Sequence, residues 1–216
     1  MTERLETRIG ENWVKNPNRV LADIELEFDE TAAEYEERSA EWDHRGARDG
    51  GAFFAALVAG SAKVLDAGCG TGLVGRELAS HGFTDLTGCD ISAEMLDRAR
   101  AKGVYRSGLV KSDIGRMPFA DGAFDALVCI AVLTYAASME RIFAEFERVV
   151  RPGGTIAFSH RVDLEADCGF PEALTPRLDR RAWDPVTVTP PHLYYPGKAD
   201  YLDSITVRYH AYRRLQ

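Results

Sequence analysis

The sequence predicts an α/β domain built on a mostly parallel sheet with helices on both faces. Three observations carry that expectation. Between Lys63 and Ser159, short apolar runs alternate with amphipathic segments, the pattern of strands joined by crossover helices. The run Val64-Leu65-Asp66-Ala67 passes straight into a glycine-rich turn, Gly68-Cys69-Gly70-Thr71-Gly72, as a strand does when it feeds a helix. Finally, Ile205 to Tyr212 alternates at period two, which fits an antiparallel edge strand with one wetted face.

Taken in chain order, residues 1–20 are polar and lack a period, and predict a loosely packed arm. Acids dominate from Leu21 to Arg45, with Leu26, Phe28, Tyr35 and Trp42 spaced among them. Phe28 to Tyr35 reads as a short acidic helix with an aromatic anchor. The segment Arg45-Gly46-Ala47-Arg48-Asp49-Gly50-Gly51 reads as a flexible joint. Residues 1–52 are therefore expected to form an arm with lid helices, and residues 53–216 the binding domain. Phe53, Phe54, Leu57 and Val58 give a helical stripe that packs on the sheet.

Strands are expected at 63–67, 86–89, 108–110, 124–130 and 155–159. The first is followed by a helix to about Ser80. Ser92 can cap the next helix, with Met95, Leu96 and Ala99 inward. Ser138 opens another, with Ile142, Phe143, Phe146, Val149 and Val150 on one face, and Arg151-Pro152-Gly153-Gly154 stops it. Residues 172–183 read as helix, 186–189 as strand and 205–212 as the closing strand.

A chain of 216 residues, 45% hydrophobic and 28% charged, suits one globular domain with small additions. Its net charge of −8 disfavours tight binding to nucleic acid or anionic lipid. No apolar run reaches the length of a membrane span, and Met1-Thr2-Glu3-Arg4 is unlike a secretion signal. Cys69, Cys89, Cys129 and Cys168 show no C-x-x-C spacing, so core cysteines and a reducing cytoplasm are expected, with no metal site.

The glycines carry the functional signal. Their spacing lets the backbone turn sharply and lets a ligand lie against the main chain at a helix N-terminus. Gly70-Thr71-Gly72-Leu73-Val74-Gly75, with Asp90 some 20 residues on, formally matches the dinucleotide fingerprint. In that fingerprint, however, the first glycine follows the strand at once, whereas here Gly68 already makes the turn. An acid at Asp66 would also crowd a pyrophosphate and suits an ammonium group. With Asp90, the arrangement resembles the first two motifs of class I S-adenosylmethionine (SAM)-dependent methyltransferases.

That resemblance implies a seven-stranded, mostly parallel Rossmann-like sheet with an antiparallel C-terminal strand, and SAM as cofactor. It places Gly68, Gly70 and Gly72 beneath the methionine part of SAM and Asp66 at its amino group. Asp90 would take the ribose hydroxyls and Ile91 would pack on adenine. Asp113 would receive the adenine amine with Ile114 as an apolar wall, Ile130 would lie under the methionine chain, and Tyr35 would close over the cofactor. Because SAM brings its own electrophile, the protein's main task is to hold two reactants aligned. His160, at the end of the fifth strand, is the candidate general base; His44, His192 and His210 are weaker ones, and His81 reads as structural.

Thr134-Tyr135, residues 161–172 and the aromatic stretch with Trp183, Tyr194, Tyr195 and Tyr201 are expected to face the methyl acceptor. Such walls suit a small, partly apolar or aromatic molecule, methylated at oxygen or nitrogen. The pattern Gly72-Leu73-Val74-Gly75-Arg76-Glu77-Leu78, Asp90-Ile91-Ser92 and Leu133-Thr134-Tyr135 is similar to the Williams–Beuren region methyltransferase-like group. A SAM-binding protein that transfers no methyl, and less readily a nicotinamide oxidoreductase, are the alternatives.

Overall fold

The computed structural model describes residues 20–166, 169–196 and 205–216. Residues 1–19 of the arm expected at 1–20, together with Cys168 and Tyr201, lie outside the described residues. Helix α1 (Leu21–Thr31), α2 (Tyr35–Glu41) and α3 (Gly46–Ala55) precede an alternating core. The core runs β1 (Val64–Ala67), α4 (Leu73–Ser80), β2 (Leu86–Asp90), α5 (Ala93–Ala101), β3 (Gly108–Lys111), β4 (Phe124–Cys129), α6 (Met139–Val149) and β5 (Val150–Arg161). Then come α7 (Phe170–Asp179), β6 (Trp183–Val188), β7 (His192–Leu193) and β8 (Thr206–Arg214).

The sheet order is β3-β2-β1-β4-β5-β8-β6. β1 to β5 are mutually parallel, while β8 runs antiparallel to both β5 and β6. The order reverses between β1 and β4, which opens a crevice at the carboxyl ends of those strands. Every residue of β1 and β2 is buried, as expected of strands covered on both faces. Val64, Ala126, Val128 and Ala157 join Phe54, Leu78 and Leu86 on one face. Leu65, Leu127, Ile156 and Phe158 meet Phe143, Phe146 and Trp183 on the other.

Both expected caps form. Ser92 Oγ accepts from the Met95 amide at 3.1 Å, and Ser138 Oγ from the Arg141 amide at 3.3 Å. Three expectations are corrected. The sheet has eight strands, because Pro190-Pro191 interrupts what would be one edge strand; β7 resumes on β8 at His192↔Val207. β5 begins at Val150, with a register shift where the segment at 151–154, exposed at 151–153, bulges.

The third concerns the glycine-rich segment, which is helix rather than joint. Gly46, Gly50 and Gly51 are buried in α3, and the expected boundary at residue 52 falls inside that helix. A Cβ on Gly50 would lie 2.9 Å from Ile130, and one on Gly51 would lie 2.6 Å from Glu77. Close packing of α3 on the core, not flexibility, accounts for these glycines.

Candidate cofactor and acceptor site

The loop after β1 is tied to β2: the amides of Gly68 and Cys69 donate to the Cys89 carbonyl at 2.8 and 2.9 Å. Gly68 has φ +77°, and a Cβ there would strike Val132 at 2.5 Å. Gly70 has φ +51° with nothing within 4 Å of its missing side chain. Its amide donates to Asp90 Oδ2 at 2.8 Å. Gly72 turns the chain into α4. This leaves bare backbone beside an open space, a cradle that a side chain would fill.

A cavity occupies that space. Gly68, Gly70, Asp90, Ile91, Asp113, Ile114 and Ile130 line it, roofed by Phe28 and Tyr35 from the arm. Both Asp90 oxygens are fixed by main-chain amides, since Ser92 donates to Oδ1 at 2.9 Å. Burial pushes its carboxyl upward, against the lowering effect of those bonds. Each oxygen keeps a lone pair for a ligand hydroxyl. The roof is pinned down by Asp29, whose carboxylate accepts from Ser92 Oγ at 2.5 Å, by Glu25 with Lys111 at 2.6 Å, and by Glu36 with Lys102.

Asp66 is buried beneath the glycine loop, where Tyr105 Oη donates to its Oδ2 at 2.7 Å while Oδ1 has no hydrogen-bond partner among the described residues. Burial raises its carboxyl to about 7. Gly75 makes room for that tyrosine, since a Cβ there would lie 2.4 Å from its ring and hydroxyl. The Asp113 carboxylate is on the wall but engaged, by the Gly115 amide at 2.8 Å and by Arg141 at 2.7 Å. Arg141 is a lining residue that the sequence reading missed, since nothing local marks a partner 28 positions away.

His160 is not at the cavity. Strand alternation puts it on the Phe158 face, 2% exposed, with Nδ1 2.9 Å from the Arg161 carbonyl and its ring 4.5 Å from that of Phe170. Ser159, on the opposite face, accepts from the Ala131 amide at 2.9 Å. Trp183 likewise faces the core, beside Phe143 at 5.2 Å, rather than an acceptor.

A second chamber adjoins the first. Its wall includes Trp42, Thr134, Tyr135, Tyr194 and Tyr195. Phe28, Tyr35, His44, Ala131 and Tyr135 belong to both walls. Ala131 holds φ 67°, a conformation costly for a residue with a Cβ and typical of functional turns. His44, a minor candidate from sequence, stands edge-on to Tyr194 at 4.5 Å and stacked with Tyr195 at 5.1 Å. Burial lowers its imidazole to about 4, so it is neutral at pH 7.

The switch-point crevice, the glycine cradle and the amide-fixed acid after β2 agree with the resemblance to class I SAM-dependent methyltransferases and with SAM as cofactor. Residues 65–158 match the methyltransferase domain family. Over 100 residues it is 37% identical to malonyl-[acyl-carrier protein] O-methyltransferase of Legionella pneumophila, covering 45% of this chain and 35% of that one. Over 121 residues it is 36% identical to methyltransferase-like protein 27 of Homo sapiens, covering 56% and 49%. The aligned region thus spans half or less of either relative. The crystal structure of a SAM-dependent methyltransferase from Mesorhizobium loti has TM-score 0.61 at 21% identity, covering 76% of this chain and 96% of that one. Among the described residues no helix is long and apolar enough to cross a membrane.

Proposed function

We propose that this chain transfers the methyl group of SAM to an oxygen or nitrogen of a small, partly apolar molecule held in the second chamber. The carrying observation is the shared wall: Phe28, Tyr35, His44, Ala131 and Tyr135 border both cavities, so two ligands would meet there. SAM supplies the activated methyl carbon. The residues of the chain contribute positioning, which by itself removes much of the barrier. Asp90 and the Gly70 backbone would fix the ribose end, with Ile91, Ile114 and Ile130 against the rest of the cofactor and Asp113 beside adenine. Gly68 and Gly72 would let the loop approach the methionine part.

His160 lines neither chamber, and His44, on the wall of both, is the histidine nearest to where the ligands would meet. The named O-methylation activity of the Legionella relative favours oxygen as the acceptor atom. Thr134 and Tyr135, which line the chamber, belong to the segment that is similar to the Williams–Beuren region group. A reducing, cytoplasmic setting fits the free, buried Cys69, Cys89 and Cys129. Incubation with methyl-labelled SAM and fractionated small-molecule extracts tests the reading. Labelled product in a fraction supports it; tight SAM binding with no transfer to any fraction would instead favour a SAM-binding protein without methyl transfer.

A further inference from the structure

We propose that the second chamber takes a planar aromatic molecule bearing a carboxylate, with the carboxylate at Arg38 and the reacting end against His44. This deepens the function proposed above and rests on it.

Three buried polar atoms on this chamber's residues have no hydrogen-bond partner among the described residues: Arg38 Nη2, His44 Nε2 and Tyr194 Oη. Leaving such groups unpaired is costly; His44 Nε2 and Tyr194 Oη sit together against Gly46, which leaves Arg38 as the charged group on this wall that a ligand would complete. Their chemistry defines that ligand. Arginine can only donate. Burial holds the Tyr194 hydroxyl protonated, so it has a proton to offer, and neutral His44 carries one N–H.

A carboxylate satisfies Arg38, and an acceptor atom at the opposite end of the ligand meets the His44 N–H. Arg38 makes a loose contact of 3.9 Å with Glu34 and lies 6.0 Å over the Trp42 ring, whereas Arg161, on the same wall, is held by both oxygens of Asp163 at 3.0 and 2.7 Å. In a chain of net charge −8, an anionic ligand needs such a local cation.

The rest of the wall gives the body of the ligand. Phe28, Tyr35, Trp42, Tyr135 and Tyr195 surround the chamber, a lining that favours a flat ring. Orientation follows from which walls are shared. Arg38 and Tyr194 border the second chamber alone, while His44 borders both. The carboxylate would therefore sit away from the cofactor and the opposite end of the ring towards it.

Calorimetric titration of the protein saturated with S-adenosylhomocysteine tests this with matched pairs: benzoate and benzamide, cinnamate and cinnamamide, indole-3-acetate and its amide. At least one acid is expected to bind tenfold or more tightly than its amide. Arg38→Met should abolish that preference while leaving S-adenosylhomocysteine affinity within twofold, and Arg38→Gln serves if the methionine variant does not fold. Equal binding within every pair, no binding by any acid, or a preference that survives loss of the guanidinium would overturn the proposal. S-adenosylhomocysteine binding to the unaltered protein is measured first. Its absence counts against the methyltransferase reading, whereas its presence without acid preference counts against the carboxylate alone.

Discussion

The amide of Gly70 donates to Asp90 Oδ2 at 2.8 Å, 20 residues along the chain. The acid that faces the cofactor cavity thus also fixes the glycine loop that floors it. Removing the carboxylate should loosen the loop and strip the ribose hydroxyls of their acceptor. Asp90→Ala is expected to weaken S-adenosylhomocysteine binding roughly 10- to 100-fold, the scale of one or two hydrogen bonds to a charged group. Asp90→Asn should fall between. Unchanged affinity in a titration of Asp90→Ala would show that the ribose lies elsewhere.

Gly75 and Tyr105 form a second dependent pair. The 2.4 Å clearance means that Gly75→Ala must displace the tyrosine and leave Asp66 unpaired. A loss of about 2–3 kcal/mol is expected from overpacking of this kind, read from denaturant unfolding. Combining it with Tyr105→Leu should cost less than the sum of the two single changes. Strict additivity would mean that the two sites do not touch.

Asp66 makes stability depend on pH. Its folded carboxyl stands near 7 against an ordinary 3.8, so the native state keeps a proton that the unfolded chain releases between those values. Stability from this group therefore falls as pH rises through the window and is gone above pH 7. In Asp66→Asn that slope disappears. The melting temperature of the variant, relative to the unaltered protein, should rise from pH 5 to pH 8; a constant difference would refute the buried, protonated acid.

The histidines act in the opposite direction. Burial lowers His44 to about 4, His210 to about 3, and His160 below its usual value. The unfolded chain takes up protons below pH 6.5 that these rings refuse, so stability is lost as the pH falls from 6.5 towards 4. His210→Phe, which keeps a ring stacked on Phe158, should flatten the decline in melting temperature between pH 6.5 and 5. His160→Phe should flatten it in the same way and leave S-adenosylhomocysteine affinity within twofold. A large affinity loss would return His160 to the binding site.

The arm over the cavities touches the core through few polar contacts, Asp29 to Ser92 and Glu25 to Lys111 among them. Segments held in this way open at low cost. Amide exchange in residues 21–41 is expected to slow when S-adenosylhomocysteine and an acceptor are added. Protection confined to the glycine loop and β2, with the arm unaffected, would argue that these helices are a fixed wall.

The central sheet was legible because a strand buried on both faces must be apolar throughout, and glycines at positive φ cannot easily be replaced. Both constraints act locally and leave their mark at fixed spacing. Side-chain direction was the weak point. His160 stands at a strand end as expected, yet pleat alternation sends it to the Phe158 face and out of both cavity walls. Arg141 and the role of His44 depend on contacts between remote segments, which no local pattern encodes. The glycines of α3 were misread because glycine serves both flexible joints and tight packing, and only the neighbours Ile130 and Glu77 tell the two apart.

The open margin of the sheet carries its own safeguard. Pro185 sits within β6 at a shift of register, and Pro190-Pro191 separates β6 from β7. All three residues lack an N–H. Val186, Val188 and Leu193, all exposed, would otherwise make this rim a sticky template for another chain. A docking strand would find carbonyls to donate to but too few amides in return, so the ladder could not propagate. Replacing these prolines would threaten solubility before it threatened the fold.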